Sequence, residues 1–135
     1  LWAQLEQADV IFDNRMKSWN TYHEAFAELE AAGKLTRPVI PADCSHNAHM
    51  YYIKLKDIDE RSRMIEHLNG LMVNSVFHYI PLHSAPAGQK FGRFHGGDRY
   101  TTKESERLLR LPLYYGLTDS DISRVIEGVS RFFTH

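Results

Sequence analysis

The sequence predicts an α/β (α+β) fold, a two-layer sandwich in which helices cover a small three- to four-stranded sheet and one long helix comes first. Three patterns carry this expectation. Leu5, Phe12, Trp19 and Phe26 recur every seven residues, which draws an apolar stripe along a helix. Tyr51, Ile53 and Leu55 alternate along His49–Leu55 and so share one face of a strand. Ile122, Val125, Ile126, Val129, Phe132 and Phe133 fall on one side of an amphipathic helix near the end of the sequence,.

Leu1, Ala8, Tyr22 and Leu29 flank the first stripe, and Ala31-Ala32-Gly33 stops it,. About 30 helical residues span roughly 45 Å, longer than so small a domain needs for its own core. One end is therefore expected to pack on something outside this chain. The opening Leu1-Trp2-Ala3-Gln4-Leu5-Glu6 already lies inside the helical pattern, with no N-cap residue before it,. That predicts a piece of a longer protein. A loop with Pro38, Pro41, Asp43 and Asn47 leads to the His49–Leu55 strand. Asp57 and Glu60 then form a capping box for a helix with Ile58, Met64, Ile65 and Leu68 inward, ending near Asn69-Gly70,. A second strand is expected over Val73–Ile80, closed by Pro81.

From Pro81 to Tyr100 the sequence is Gly-rich and without periodicity. Long irregular loops inside compact domains tend to bind or cover ligands. Thr101 and Glu104 suggest a further capping box, opening a helix through Leu109,. Leu111-Pro112-Leu113-Tyr114 reads as a short strand, and its proline suggests a sheet edge. Thr118 and Asp121 cap the last helix,.

The 135 residues are 43% hydrophobic and 24% charged, the composition of one globular domain. Sixteen basic against 17 acidic residues leave a net charge of −1, so no long-range field draws nucleic acid. No apolar run approaches the roughly 20 residues that span a bilayer, and no secretory pattern opens the chain. A soluble, cytoplasmic protein is expected, and the single Cys44 suits a reducing compartment.

Cys44, His46 and His49 lie close together, yet nothing completes a zinc ligand set, and a turn before a strand accounts for them. His78-Tyr79-Ile80-Pro81-Leu82-His83 places two imidazoles and a phenol where a strand feeds the long loop. Alternation sends His78 and Ile80 to one face and Tyr79 to the other. Ordinary packing and ligand contact both fit this segment. Gly92, Gly96 and Gly97 match neither a dinucleotide fingerprint nor a P-loop.

Asn47-Ala48-His49-Met50-Tyr51-Tyr52, Phe77-His78-Tyr79-Ile80-Pro81-Leu82-His83 and the run from Arg99 to Leu113, together with the opening helix, resemble the small domain of DegT/DnrJ/EryC1/StrS sugar aminotransferases. The resemblance implies a fold-type-I, homodimeric enzyme using pyridoxal phosphate, divided here into an interdomain helix over 1–33 and a small C-terminal domain over 34–135. It further implies transfer of an amino group from glutamate to C4 of dTDP-4-keto-6-deoxyglucose, in synthesis of enterobacterial common antigen. The family's Schiff-base lysine lies in a large domain upstream; none of Lys17, Lys34, Lys54, Lys56, Lys90 or Lys103 sits in its motif. This chain alone is expected to be inactive and to bind no cofactor. By resemblance, Tyr79 and His83 approach the nucleotide-sugar, with His78 and Ser84 beside them and Asn47 a further candidate. A sibling enzyme acting on another keto-sugar and a free-standing sugar-nucleotide-binding or interaction module are the alternatives.

Overall fold

The computed structural model describes residues 2–134. Three helices, α1 (Trp2–Leu5), α2 (Ala8–Ala25) and α3 (Ala27–Ala31), stand where the sequence predicts one. The first break is a turn, in which the Gln7 amide bonds back to Gln4 O at 3.3 Å. The second is slight. The amides of Phe26 and Glu30 still donate to Tyr22 O and Phe26 O at 3.1 Å, so the i→i−4 ladder runs through it. Gly33 ends the run as expected: its φ of +69° suits glycine, and the Lys34 amide closes on Leu29 O at 2.9 Å,.

Only the second half of the long stripe is covered. Trp19, Tyr22 and Phe26 are buried, whereas Trp2, Leu5 and Phe12 are exposed. Leu1, which the pattern places on the same stripe, lies outside the described residues.

Strands β1 (Tyr51–Lys54), β2 (Val76–Phe77) and β3 (Leu108–Leu111) make an antiparallel sheet in the order β1-β3-β2. Tyr51 opposes Leu111 and Ile53 opposes Leu109. Tyr51, Ile53, Leu55, Leu109 and Leu111 all point into the core. The alternation read from Tyr51, Ile53 and Leu55 thus holds. Thr36 pairs with Lys54 beside the sheet, exchanging two amide bonds of 2.9 Å.

Two strand expectations are corrected. β3 begins three residues before the expected Leu111–Tyr114 strand and is central rather than an edge. Pro112 falls just past its end, where its missing N–H interrupts no ladder. The strand expected over Val73–Ile80 shrinks to Val76–Phe77, because β3 offers β2 only Arg110 and Leu109 as partners. His78, Tyr79 and Ile80 therefore lie outside the sheet, and strand alternation does not place their side chains.

Helix α4 (Ile58–Gly70) is capped by the expected pair: Asp57 Oδ1 accepts from the Glu60 amide at 2.9 Å, and Glu60 Oε2 from the Lys56 amide at 2.8 Å. Met64 and Leu68 are buried, but Ile58, expected inward, is 41% exposed at the first residue of the helix. The helix ends at Gly70 as expected, and the chain then turns back through Met72, at φ +58°. The expected loop over Pro81–Tyr100 contains a further helix, α5 (Pro86–Phe91), opened by Pro86 at its first position,. Helix α6 (Thr101–Arg107) precedes β3, and α7 (Asp119–Phe132) closes the fold. Thr118 Oγ1 caps α7 by accepting from the Asp121 amide at 3.1 Å.

Helix α7 packs against both α2 and α4. Met64, Leu68, Ile122, Val125 and Val129 join the inward strand residues in one core, where each large apolar side chain contributes about 1.5–3 kcal/mol. Among the described residues no helix is long and apolar enough to cross a membrane.

Candidate functional site

Helix α6 organises the residues singled out in the sequence. Its N-terminus is capped by Asp98, whose Oδ1 accepts from the Thr101 amide at 2.9 Å and Oδ2 from the Thr102 amide at 3.1 Å. The expected Thr101–Glu104 box does not form. Glu104 instead reaches Lys54 of β1 at 2.7 Å and Arg107 at 3.1 Å. Asp98 also accepts the Thr102 hydroxyl.

This cap holds His83. Its Nε2 lies 3.0 Å from Asp98 Oδ2 and 3.1 Å from Thr102 Oγ1, and the ring rests 4.5 Å from that of Phe94. Both oxygens are served by an Nε2–H, which leaves Nδ1 without a partner among the described residues. That nitrogen accepts from a hydroxyl when the ring is neutral and donates to an anion when the ring is charged. His83 also lines a hollow of about 350 Å³, together with Leu82, Gly88, Gly92, Arg93, Phe94 and Thr101.

Tyr79 is tied to the same helix. Ser105 Oγ donates to Tyr79 O at 2.6 Å, and Tyr79 as a whole is 70% exposed, with its ring 4.3 Å from that of His78. Thr102 and Ser105 are three residues apart and so share a face of α6. One short helix thereby fixes both principal candidates. Arg61 links the site to α4, its guanidinium donating to Ser105 O at 3.1 Å and lying 5.4 Å from the Phe77 ring.

The remaining candidates differ. Burial, then Arg110 and His49, hold the His78 imidazole below its ordinary pKa; it offers hydrogen bonding without charge. Its Nδ1 is buried and has no partner among the described residues. Ser84 spends its hydroxyl proton on Pro81 O at 3.0 Å within the turn. Asn47 Oδ1 accepts from the backbone and ring of His49 at 3.2 and 3.0 Å and shapes a local turn. Among the described residues no three His, Cys, Asp or Glu side chains converge as metal ligands would.

Sequence reasoning missed Asp98, Thr102 and Ser105. The cue was the Asp98-to-Thr101 spacing, which fits a helix cap as well as Thr101-to-Glu104 does. The Asp98 carboxyl lies below its ordinary range, chiefly through the Thr102 hydroxyl and then the amides of Thr102 and Thr101, with His83 adding to them. A lowered carboxyl contributes its stability fully above the ordinary value of 3.8 and loses it as pH falls through the lowered one. The amide resonances of Thr101 and Thr102 are expected to titrate together with a midpoint below 3.8. Separate midpoints, or one at the ordinary value, would remove Asp98 from the cap.

The fold agrees with comparison to known proteins. The profile of the DegT/DnrJ/EryC1/StrS aminotransferase family matches residues 1–130, and the chain belongs to that family. Spore coat polysaccharide biosynthesis protein SpsC of Bacillus subtilis is 30% identical over 131 residues, covering 93% of this chain and 33% of SpsC. The crystal structure of the aminotransferase TlmJ from Streptoalloteichus hindustanus superposes with a TM-score of 0.81 at 26% identity, over 98% of this chain and 34% of TlmJ. That of S. venezuelae DesV, in complex with a ketimine intermediate, gives a TM-score of 0.83 at 20% identity, over 98% of this chain and 34% of DesV. The chain spans about a third of the length of the curated relatives it matches.

Proposed function

We propose that this chain forms the small-domain part of a pyridoxal-phosphate-dependent sugar aminotransferase and that its role is to hold the nucleotide-sugar. Residues 1–33 join it to a larger cofactor-binding domain, which covers the exposed Trp2, Leu5 and Phe12, and residues 34–135 are the small domain. The parent is a homodimer that takes the amino group from glutamate and delivers it to C4 of dTDP-4-keto-6-deoxyglucose, as a dTDP-4-amino-4,6-dideoxygalactose transaminase does. Family membership supports the reaction class, as do the aminotransferase TlmJ and the ketimine bound to DesV. The polysaccharide role in SpsC's name supports a sugar substrate.

The lysines of this chain do not fit the cofactor's covalent seat. Lys17 pairs with Asp119 at 2.9 Å and Lys54 with Glu104 at 2.7 Å; Lys34, Lys56, Lys90 and Lys103 are exposed. No catalytic residue is therefore assigned here. The observation that carries the binding role is the clamp on α6: Thr102 and Asp98 orient His83, and Ser105 anchors the Tyr79 backbone. Nδ1 of His83 and the Tyr79 hydroxyl then present polar atoms to sugar or phosphate oxygens, with Asp98 as a positioning residue.

The test is amination by the full-length parent, supplied with pyridoxal phosphate and glutamate, across a panel of dTDP- and UDP-linked 3-keto and 4-keto sugars. Amination at C4 of dTDP-4-keto-6-deoxyglucose is the expected result. Exclusive amination at C3 or of another sugar would assign a different substrate, and no amination of any member would refute the aminotransferase reading.

A further inference from the structure

A second cleft, of about 470 Å³, lies between the turn after α3, the end of β1 and α6. Five cations line it, Lys34, Lys54, Lys56, Lys103 and Arg107, with Glu30 as the one carboxylate among its lining residues. Leu35 and Leu55, nearly fully buried, form its apolar floor. Such a concentration is notable in a chain whose net charge is −1.

The local acids do not cancel it. Glu30 is committed to Arg37, with Nε at 2.7 Å from Oε2 and the Arg37 amide at 2.7 Å from Oε1. Glu104, next to the cleft, is shared between Lys54 and Arg107. Lys56 has only a long approach of 4.0 Å to Asp57. Lys34 and Lys103 form no ion pair among the described residues. Three ammonium groups therefore remain as surplus charge around one concavity.

The backbone beneath them is fixed. Thr36 pairs with Lys54, the Lys34 amide is bound to Leu29 O at 2.9 Å, and Arg107 Nε donates to Leu55 O at 2.7 Å. Lysines bind phosphate as point charges rather than planar forks, so the number of charges here, more than any fixed geometry, selects a multiply charged anion. The volume exceeds that of one phosphate, and the surplus matches an anion of two to three negative charges.

We infer that this cleft binds a diphosphate, either free or carried by a nucleotide. It shares no lining residue with the hollow at His83, and the inference does not depend on the aminotransferase reading. Calorimetric titration of the 135-residue chain with pyrophosphate and, in parallel, with dTDP tests it, ionic strength being matched with sodium chloride. One saturable site is expected, weakened about tenfold or more in the Lys34→Gln/Lys103→Gln variant and unchanged in Lys17→Gln, where the lysine lies outside the cleft. Equal affinities would identify the free anion as sufficient; tighter dTDP binding, with the same loss in the double variant, would identify the nucleotide-borne group. No saturable binding of either ligand up to about 10 mM, a limit near −2.7 kcal/mol, would overturn the inference. So would full affinity in the double variant while circular dichroism shows it folded.

Discussion

Trp19→Ala is expected to lower the stability of the chain by about 3–5 kcal/mol, a fall in Tm of roughly 10 °C or more. Trp19 is 5% exposed and is the meeting point of three rings. His23 stacks on it at 4.6 Å, His46 lies at 4.4 Å and the edge-on Tyr51 at 5.3 Å. These join α2, the loop before β1 and β1 itself, so the substitution opens a cavity where three segments converge. Aromatic pairs of this kind add about 0.5–1.5 kcal/mol each beyond area burial. Thermal unfolding followed by circular dichroism measures the loss. A change under about 1 kcal/mol, within the range of ordinary surface substitutions or little above it, would show that α2 does not seat its C-terminal half on the sheet in this way.

Gly88→Ala is expected to leave global stability nearly untouched and to damage the site. A Cβ on Gly88 would stand 1.6 Å from Leu82 O and 2.6 Å from Leu82 C. These are backbone atoms, so no rotamer relieves the overlap, and α5 or the Leu82-His83 peptide must move. None of the α5 residues is buried, so the core does not feel the shift. His83, next in sequence to Leu82, loses its placement against Asp98. Sugar binding by the parent enzyme is expected to weaken at least tenfold, on the scale of a lost charge-assisted hydrogen bond. Gly97→Ala is the control, since nothing lies within 4 Å of its added Cβ. Equal sugar affinity in the two variants would mean that the turn does not position His83.

Much of the scaffold was legible because its signals are local. The alternation at Tyr51, Ile53 and Leu55, the Asp57 and Thr118 caps and the Gly33 stop each depend on residues a few positions apart. β3 was displaced because Leu108-Leu109-Arg110-Leu111 is a short apolar run that suits either the end of a helix or a strand. Pairing with Tyr51–Lys54, more than fifty residues away in sequence, decides it. β2 was overestimated for the matching reason: its β-rich composition continues through Ile80, while its partner strand does not. At the site, His83 and Tyr79 were visible as chemistry-bearing residues beside a long loop. Their support was not. Asp98 reads as one more polar residue in a Gly-rich stretch, and Glu104 looked like a cap although Lys54 draws it across the fold. The helix inside the long loop had a cue in Pro86, outweighed by the surrounding glycines.

The most direct test of the account separates the two half-reactions of the full-length parent by stopped flow, in the wild type and in His83→Ala. If this domain holds the nucleotide-sugar, the substitution weakens apparent sugar binding by about tenfold to a hundredfold, equivalent to roughly 1.5–3 kcal/mol, and leaves the glutamate half-reaction nearly intact. Loss of the glutamate half-reaction with sugar binding unchanged would contradict it and move His83 to the cofactor's side of the chemistry.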